Sequence, residues 1–451
     1  MRSSLPPILL LALVAIWLQA KTAHSTTTTA IRTSDFLDSL GIDTTFPDRG
    51  QPITRTVQMI RYLGVRWVRG GIEGLTTNGP TTIQTYLDLH NQTGVRFSWG
   101  LVSGGSNLRN LLDSARQLAA AGALLSFEGN NEPNNWGVTY QGENGGGHAP
   151  SWLAVAKLQR DLYAAAKSNS LLQNYPVWSI SENGAEKDNV GLQFLTIPAG
   201  MHTLLPAGTQ FADFANCHNY IYHPASPGLA DNKTWNAADP GPACKVDGLY
   251  GNYGRTWARH YPGYRESELA SLPRVTTETG CQIGGAITEK IHALNLLSMY
   301  LDQFKRGWSH TSVYLLRDRT DEGGNQRFGF FAPDYQPRKA AIYLHSLTTI
   351  LADAGNATPA PPGKLDYTIP NQPPTVHDLL LQNSSGTFQL LVWDELVKGA
   401  DTVILSLGGP RNFVDVYDPT IGTDPVATHD HCSELSLTLS NHPVVISISS
   451  H

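Results

Sequence analysis

The sequence has few cysteines, no excess of basic residues and no long apolar segment beyond its N-terminus. Its four cysteines, Cys217, Cys244, Cys281 and Cys432, show neither a Cys-x-x-Cys pair nor the His/Cys spacing of a zinc site. A formal net charge of −6 provides no basic face for nucleic acid and no polybasic membrane anchor. No later segment approaches the roughly 20 apolar residues of a transmembrane helix. We therefore expect no metal, no cofactor, no nucleic-acid partner and no membrane association.

Residues 1–25 have the organisation of a secretory signal peptide. Arg2 supplies a positive charge, residues 8–18 form an apolar segment, and Ala23-His24-Ser25 provides a small-residue cleavage site. Because this apolar segment is too short to span a bilayer, we expect it to be removed. The mature protein is predicted to be secreted or periplasmic, an oxidising environment in which four cysteines allow three disulfide pairings.

The middle of the chain alternates short β-rich runs with amphipathic segments, a pattern typical of a parallel sheet. Eight strands are predicted, at residues 41–46, 65–69, 95–101, 124–129, 177–182, 211–220, 274–278 and 311–316. Eight strand–helix alternations predict an α/β fold, a (β/α)8 TIM barrel, which we assign to residues 26–355.

A Pro- and Gly-rich stretch, residues 356–374, is predicted to be a linker. Residues 375–451 then change to period-two alternation, with strands expected at 379–382, 387–393, 402–407, 412–417, 435–439 and 444–448. This pattern predicts a small C-terminal β-sandwich domain, for which we expect a structural role. The segment before the first barrel strand is a candidate for an additional strand of this domain.

Two carboxylates stand at the ends of predicted barrel strands. Glu132 lies in Phe127-Glu128-Gly129-Asn130-Asn131-Glu132-Pro133-Asn134 after strand four, and Glu278 lies in Thr276-Thr277-Glu278-Thr279-Gly280 at the end of strand seven. Paired carboxylates across the anomeric carbon of a sugar are the chemistry of glycoside hydrolysis, in which one protonates the leaving oxygen. The other attacks the sugar or activates a water. Pro133 also predicts an extended backbone at Glu132.

The Asn-Glu-Pro on strand four, with a second Glu ending strand seven, resembles the retaining glycosidases of glycoside hydrolase clan A. Val65-Arg66-Trp67-Val68-Arg69-Gly70-Gly71 resembles the second strand of that clan, and Phe127-Glu128 resembles its family 39, which usually has Trp at the position of Asn130. The resemblance implies cleavage of β-glycosidic bonds of an oligo- or polysaccharide, with Glu132 as acid/base and Glu278 as nucleophile. Their carboxyl groups are then expected about 5–5.5 Å apart.

The same resemblance implies roles for residues around the two carboxylates. Arg69, rather than Arg66, is expected to contact Glu278 and keep it ionised, because an adjacent cation favours a charged carboxylate. The alternative is a surface arginine paired with Glu73. Asn131 is expected to hydrogen-bond the sugar 2-hydroxyl.

His218 and Tyr220 are two residues apart on strand six and therefore share a face, which we expect to point into the cavity. The Tyr220 hydroxyl is predicted to donate to Glu278, and the alternative is a buried aromatic cap of the barrel. Glu128 is predicted to be a buried partner of an Arg or a Trp N–H. Glu182 and Asp318 are the rival candidates for the nucleophile.

Aromatic residues near strand ends can stack on sugars. The candidates are Trp99, Trp136, Tyr222, Trp257 and Tyr314, of which Trp136 and Tyr314 are our predicted substrate-binding residues. Cys244 and Cys281 are predicted to form a disulfide, because both follow neighbouring strands at the catalytic end. Two other functions use the same scaffold: an inactive carbohydrate-binding protein and a transglycosidase. A polysaccharide lyase is disfavoured, because no basic cluster is evident.

Overall fold

The computed structural model describes residues 26–44, 51–72, 75, 81–101, 103–181, 188–221, 234–235, 264, 268, 271–320, 326–353, 361–396 and 398–449. The predicted signal peptide, Glu73, Glu182, Tyr222, Cys244 and Trp257 lie outside the described residues. Within the described ranges, no helix has both the length and the apolarity needed to cross a membrane.

The secondary structure follows the predicted alternation. In chain order the elements are β1 (Thr26–Thr29), β2 (Ile31–Arg32), α1 (Thr33–Ser39), β3 (Leu40–Asp43), α2 (Ile53–Leu63), β4 (Trp67–Gly71), α3 (Ile83–Thr93), β5 (Arg96–Gly100), α4 (Leu108–Ala120), β6 (Leu124–Glu128), β7 (Val138–Tyr140), β8 (Glu143–Gly145), α5 (Leu153–Ser168), β9 (Val177–Trp178), β10 (Ala215–His218), β11 (Arg274–Thr279), α6 (Glu289–Lys305), β12 (Trp308–Val313), α7 (Lys339–Ile350), β13 (Lys364–Tyr367), β14 (Val376–Gln382), β15 (Phe388–Asp394), β16 (Asp401–Tyr417), β17 (Ala427–Leu439) and β18 (Pro443–Ile448).

Eight of these strands form one parallel sheet, in the order β10-β11-β12-β3-β4-β5-β6-β9. A parallel bridge between Trp178 and Phe214 closes the sheet between β9 and β10, and the Ser179 N–H donates to the Phe214 carbonyl at 3.0 Å. Strands β6 and β11 are buried along their whole length, as expected when helices cover the outside of a barrel. The predicted (β/α)8 barrel is confirmed.

Strands five and six are shorter than predicted, with β9 ending at Trp178 and β10 beginning at Ala215. The serines that follow β9 accept side-chain hydrogen bonds in addition to their backbone ones. Ser179 Oγ accepts the Asn216 N–H at 2.9 Å, and Ser181 Oγ accepts the Glu132 N–H at 2.8 Å. Side-chain bonds of this kind are not visible in a β-propensity pattern.

The barrel interior is layered. Trp67 and Trp178 pack edge to face, with ring centroids 5.5 Å apart, in a buried cluster with Leu125 and Val275. Arg69 follows Trp67 by two residues on β4 and so points to the same side of the strand, one layer closer to the carboxyl end. The tryptophan layer therefore forms an apolar floor beneath the polar groups of the site.

The C-terminal domain contains a six-stranded sheet in the order β17-β16-β18-β15-β14-β2, and β1 pairs separately with β13. Both N-terminal strands therefore belong to this domain, which has its own apolar core. The predicted linker contains β13, because Leu365, Tyr367 and Ile369 alternate into that core. Two predicted strands are joined as the single strand β16, whose pairing register shifts between Ser406 and Arg411.

A buried polar cluster connects the two domains. Asp302 on α6 accepts a hydrogen bond from Trp393 Nε1 on β15 at 2.8 Å, and Thr234 Oγ1 contacts both Asp302 and Glu395. Burial, followed by the neighbouring Glu395 charge, raises the pKa of Asp302 well above its usual value. The C-terminal domain thus covers the outer face of α6, which explains why this helix is buried almost all round.

Candidate active site

The polar side chains of the site come from the carboxyl ends of the barrel strands, where catalytic residues of such barrels lie. Asp43 ends β3, Arg69 lies in β4, and His218 ends β10. Glu278 lies in β11, and Glu132 follows β6 by four residues. Residues distant in the chain therefore meet at one rim.

Glu132 is buried and fixed at both carboxylate oxygens. His218 Nδ1 lies 2.8 Å from Oε1, and Asn135 Nδ2 donates to Oε2 at 2.9 Å. The φ angle of Glu132 is +39°, a left-handed conformation uncommon outside glycine. The extended backbone predicted from Pro133 is therefore wrong: the chain turns sharply here, and Ser181 Oγ accepts the Glu132 N–H.

Glu132 and His218 shift each other's protonation. Burial alone raises the pKa of Glu132, but the hydrogen bond and charge of His218, with Asn135 and Arg69, outweigh it and lower that pKa below its usual value. For His218, burial lowers the pKa, but the charges of Glu278 and Glu132 outweigh it and raise that pKa. These directions favour the proton on His218 and an ionised Glu132, a buried ion pair joined by a 2.8 Å contact.

Glu278 is held by two donors. Tyr220 Oη donates to Oε1 at 2.5 Å, and Arg69 Nη1 donates to Oε2 at 2.7 Å. His218 Nδ1 also lies 3.7 Å from Oε2, which places the imidazole between the two carboxylates. The two donors therefore fix the orientation of the Glu278 carboxyl group.

Arg69 connects most of the site. Its Nε and Nη2 form a bidentate pair with Glu128, at 3.1 and 2.7 Å. Nη2 also donates to Asn131 Oδ1 at 2.8 Å, and Nη1 contacts Asp43 Oδ2 at 3.4 Å as well as Glu278. Arg66, by contrast, pairs with Asp38 at the surface.

Glu128 lies too deep to meet a substrate. It is 1% exposed and accepts hydrogen bonds from Ser98 Oγ at 3.2 Å and Thr277 Oγ1 at 2.9 Å, in addition to Arg69. Asn131, which is partly exposed, donates to Ser103 Oγ at 3.1 Å. Glu128 therefore orients Arg69, while Asn131 lies at the edge of the carboxylate pair.

The predicted aromatic residues differ in position. Trp136 is 54% exposed, and its backbone N–H donates to the backbone carbonyl of Glu132 at 2.9 Å in the turn after that residue. Tyr314 packs against Phe328 with centroids 5.4 Å apart, and Phe328 in turn packs against Tyr220. Trp99 is fully buried and donates to Ser114 Oγ, which makes it a core residue rather than a cleft residue.

Two predictions find no support at the site. Asp318 accepts the Gly329 N–H at 2.6 Å and pairs with Arg338, so this rival nucleophile is directed away from the carboxylate pair. Cys281 is a buried free thiol whose pKa is raised to about 12 by burial. The predicted disulfide with Cys244, which lies outside the described residues, is not shown.

Sequence reasoning missed Asp43, Asn135, Ser181 and Thr277, all of which contact the groups above. Asp43 carried a signal, because it is an acidic residue in the first predicted strand. The three others are short polar side chains without a distinctive motif.

One carboxylate oxygen of Glu132, one nitrogen of His218 and one carboxylate oxygen of Glu278 lie within 4.8 Å of one another. This spacing could also accommodate a metal ion. However, Tyr220 and Arg69 already donate to the two oxygens of Glu278, and a cationic guanidinium at this position opposes a second cation. The arrangement therefore fits paired carboxylates better than metal ligands.

The barrel fold is similar to that of several solved glycoside hydrolases. The sequence matches no family model and no curated protein. Among solved structures, it is similar to a family 39 glycoside hydrolase from the gut symbiont Bacteroides cellulosilyticus WH2, with a TM-score of 0.56, 15% identity and coverage of 92% of this chain and 82% of the other.

Two further solved structures share the architecture. A GH51 arabinofuranosidase from Xanthomonas axonopodis pv. citri has a TM-score of 0.54 at 11% identity, covering 95% of this chain and 98% of the other. CelM2, a bifunctional glucanase-xylanase protein from a metagenome library, has a TM-score of 0.53 at 12% identity, covering 95% and 99%. At these identities, the likeness shows the fold.

Proposed function

We propose that the protein is a retaining glycoside hydrolase that cleaves β-glycosidic bonds of an oligo- or polysaccharide. The observation that carries this proposal is the approach of two carboxylates from β11 and from the loop after β6, with an oxygen of each within 4.8 Å of the other. Retaining enzymes keep their carboxyl groups about 5–5.5 Å apart, whereas inverting enzymes need about 6.5–9.5 Å to admit a water.

The environments of the two carboxylates support different roles. Glu278 accepts hydrogen bonds from Tyr220 and Arg69, which orient it, as a nucleophile requires. Glu132 contacts His218 at 2.8 Å, a titratable neighbour that can exchange a proton with it, as an acid/base requires. Glu278 then attacks the anomeric carbon while Glu132 protonates the leaving oxygen, and ionised Glu132 afterwards takes a proton from the attacking water.

The neighbouring residues supply binding. Asn131 lies beside Glu132 and Arg69, where its amide can meet the sugar 2-hydroxyl. Trp136 has an exposed ring and follows the proposed acid/base by four residues, so it is the candidate for stacking on a leaving-group sugar. The signal-like residues 1–25 support a secreted or periplasmic location as part of the same proposal.

The first experiment is a panel of aryl β-glycosides and β-glycans, followed by two variants on the best substrate. Glu278→Ala should lose nearly all turnover, because no covalent intermediate can form. Glu132→Ala should still form the glycosyl-enzyme from substrates with activated aryl leaving groups, and then stall for lack of a base. Glu143→Ala, which removes a surface carboxylate paired with Lys157, is the matched control and should keep wild-type rates.

Added azide separates the two roles. With Glu132→Ala it should restore turnover and yield the β-glycosyl azide, because azide enters from the face that Glu132 guards and needs no base. With Glu278→Ala it should yield the α-product, because azide replaces the nucleophile from the opposite face. Wild-type rates in both variants would refute the function, and exchanged products would reverse the roles.

A further inference from the structure

Arg69 has five N–H donors, and the structure provides an acceptor for each of them. Four point to Glu128, Asn131 and Glu278. The fifth, on Nη1, points to Asp43 Oδ2 at 3.4 Å, the longest contact of the set. Asp43 is therefore the weakest partner of the guanidinium that holds the proposed nucleophile.

Several charged or titratable groups face Asp43, and each comes from a different element. They are Arg69 on β4, Glu128 on β6, Glu278 on β11 and Tyr300 on α6. Ser312 Oγ on β12 donates to Asp43 Oδ1, while the Tyr300 hydroxyl donates to the Gly41 carbonyl at 2.6 Å. Asp43 itself is only 6% exposed.

The charges around Arg69 do not balance if all three of its carboxyl partners are ionised. Glu128 receives two arginine nitrogens, Ser98 and Thr277, and Glu278 receives Arg69 and Tyr220. Among the described residues, Asp43 receives only Ser312 and the long Arg69 contact. Burial, with the charges of Glu278 and Glu128, raises the pKa of Asp43 to about 8. Asp43 is thus the carboxyl group that carries the extra proton.

We propose that Asp43 is a positioning residue that stays neutral while Glu278 is ionised and becomes the counter-ion of Arg69 when Glu278 is esterified by the sugar. Esterification forms the bond between a Glu278 oxygen and the anomeric carbon and breaks the bond to the leaving oxygen. It removes one negative charge beside Arg69, and Asp43 then releases its proton to solvent. Hydrolysis of the ester restores the Glu278 carboxylate, and Asp43 takes a proton back.

This exchange keeps the charge around Arg69 constant through both steps. Because Asp43 supplies the negative charge that Glu278 loses, Arg69 can keep its position beside Glu278 when Glu278 becomes a neutral ester. The inference rests on the proposed function, because it requires a covalent glycosyl-enzyme.

The test measures protons released when the intermediate forms. Glu132→Ala is mixed at pH 7 with an aryl β-glycoside whose phenol leaves as the anion, so the chemical step itself neither releases nor consumes a proton. A pH-indicator dye should then report a burst of about one proton for each phenolate released in the burst. In Glu132→Ala/Asp43→Asn the phenolate burst should persist, and the proton burst should be smaller by about one proton for each phenolate released. Comparing the two variants separates Asp43 from His218, whose pKa also depends on the Glu278 charge.

Equal proton bursts in the two variants would overturn the role of Asp43 and leave the glycosidase intact. Absence of any phenolate burst would instead overturn the proposed function, and this inference with it. Ser312→Ala provides a second variant if the Asp43→Asn protein does not fold. The Ser312 hydrogen bond lowers the pKa of Asp43, so its removal should raise the pH at which the proton burst disappears. If that pH is the same in Ser312→Ala as in the parent enzyme, the proposed role of Asp43 is also overturned.

Infrared spectroscopy checks the resting state without any substrate. The difference spectrum between wild type and Asp43→Asn at pH 6 should contain one carboxylic-acid carbonyl band that disappears with a midpoint near pH 8. A difference spectrum that shows only a carboxylate at pH 6 would overturn the inference, whatever the activity assays report.

Discussion

Replacing Tyr220 by Phe removes a single hydroxyl group at a defined place. Tyr220 Oη donates to Glu278 Oε1 at 2.5 Å, and the ring is buried against Phe328. Phenylalanine keeps the ring and its packing. The variant therefore isolates one hydrogen bond to the proposed nucleophile.

The expected magnitude follows from the charge of the acceptor. A hydrogen bond to a charged group contributes about 1.5–3 kcal/mol, which corresponds to about 10- to 150-fold in rate. The bond is present when Glu278 is a carboxylate and is weakened when Glu278 is an ester. Loss of this hydrogen bond therefore makes Glu278 a poorer leaving group. The second step, hydrolysis of the glycosyl-enzyme, releases Glu278 as a carboxylate and should be slowed most.

This step assignment predicts a diagnostic pattern. With an activated aryl glycoside, kcat of Tyr220→Phe should fall by about 10- to 150-fold. KM should fall as well, because the glycosyl-enzyme accumulates, and a burst of phenol should precede the steady state. Stopped-flow absorbance measures both the burst and the steady state.

Tyr314→Phe is the matched control, because it also removes one hydroxyl group from a ring that packs against Phe328. The Tyr314 hydroxyl donates to Gln326 at 2.9 Å and accepts from Arg319 at 3.2 Å, so its loss should alter KM without a burst. If Tyr220→Phe folds and keeps kcat within about twofold of wild type, the Tyr220 hydroxyl does not stabilise the Glu278 carboxylate during the reaction, and its proposed role is refuted.

Two predictions concern stability. The pKa of His218 is raised and that of Glu132 is lowered, so their pairing stabilises the fold above the unfolded value of Glu132, 4.5, and below that of His218, 6.5. The difference in melting temperature between wild type and His218→Asn should be largest inside this window, and a pH-independent difference would contradict the pairing. The raised pKa of Asp302 means that the wild type loses stability as pH rises above 3.8, by up to about 1.4 kcal/mol per pH unit. Asp302→Asn does not titrate and can still accept a hydrogen bond from Trp393. Its melting temperature should therefore rise relative to that of wild type as pH increases. A difference in melting temperature that stays constant between pH 5 and 8 would exclude a protonated Asp302.

The barrel could be predicted because its strands are buried on both faces and its helices on one, which leaves a clear alternation in the sequence. The ends of β9 and β10 could not, because the hydroxyl groups of Ser179 and Ser181 accept backbone N–H groups there, which no β-propensity pattern reveals. The N-terminal segment could be named as a candidate strand of the C-terminal domain, but its partner could not, since β1 pairs with β13 more than 300 residues later, inside the predicted linker.

The catalytic rim could be predicted for a related reason. Parallel barrel strands all end at the same face, so a carboxylate at a strand end is placed there by topology alone. Which carboxylate contacts which cation is a different matter. Asp43 and Glu278 both reach Arg69 Nη1, yet no local pattern in either strand indicates that they share it.

Glu128 and Glu132 show what separates a structural from a reactive carboxylate at this rim. Glu128 is the last residue of β6 and faces fixed donors from Arg69, Ser98 and Thr277, which leaves no oxygen for a substrate. Glu132 is only four residues later, but its left-handed backbone turns it toward a titratable partner, His218. The donors to Glu128 orient Arg69 and leave no place for a proton exchange with substrate, whereas His218 can exchange a proton with Glu132. For the acid/base role, a titratable neighbour therefore matters more than the position of the carboxylate in the chain.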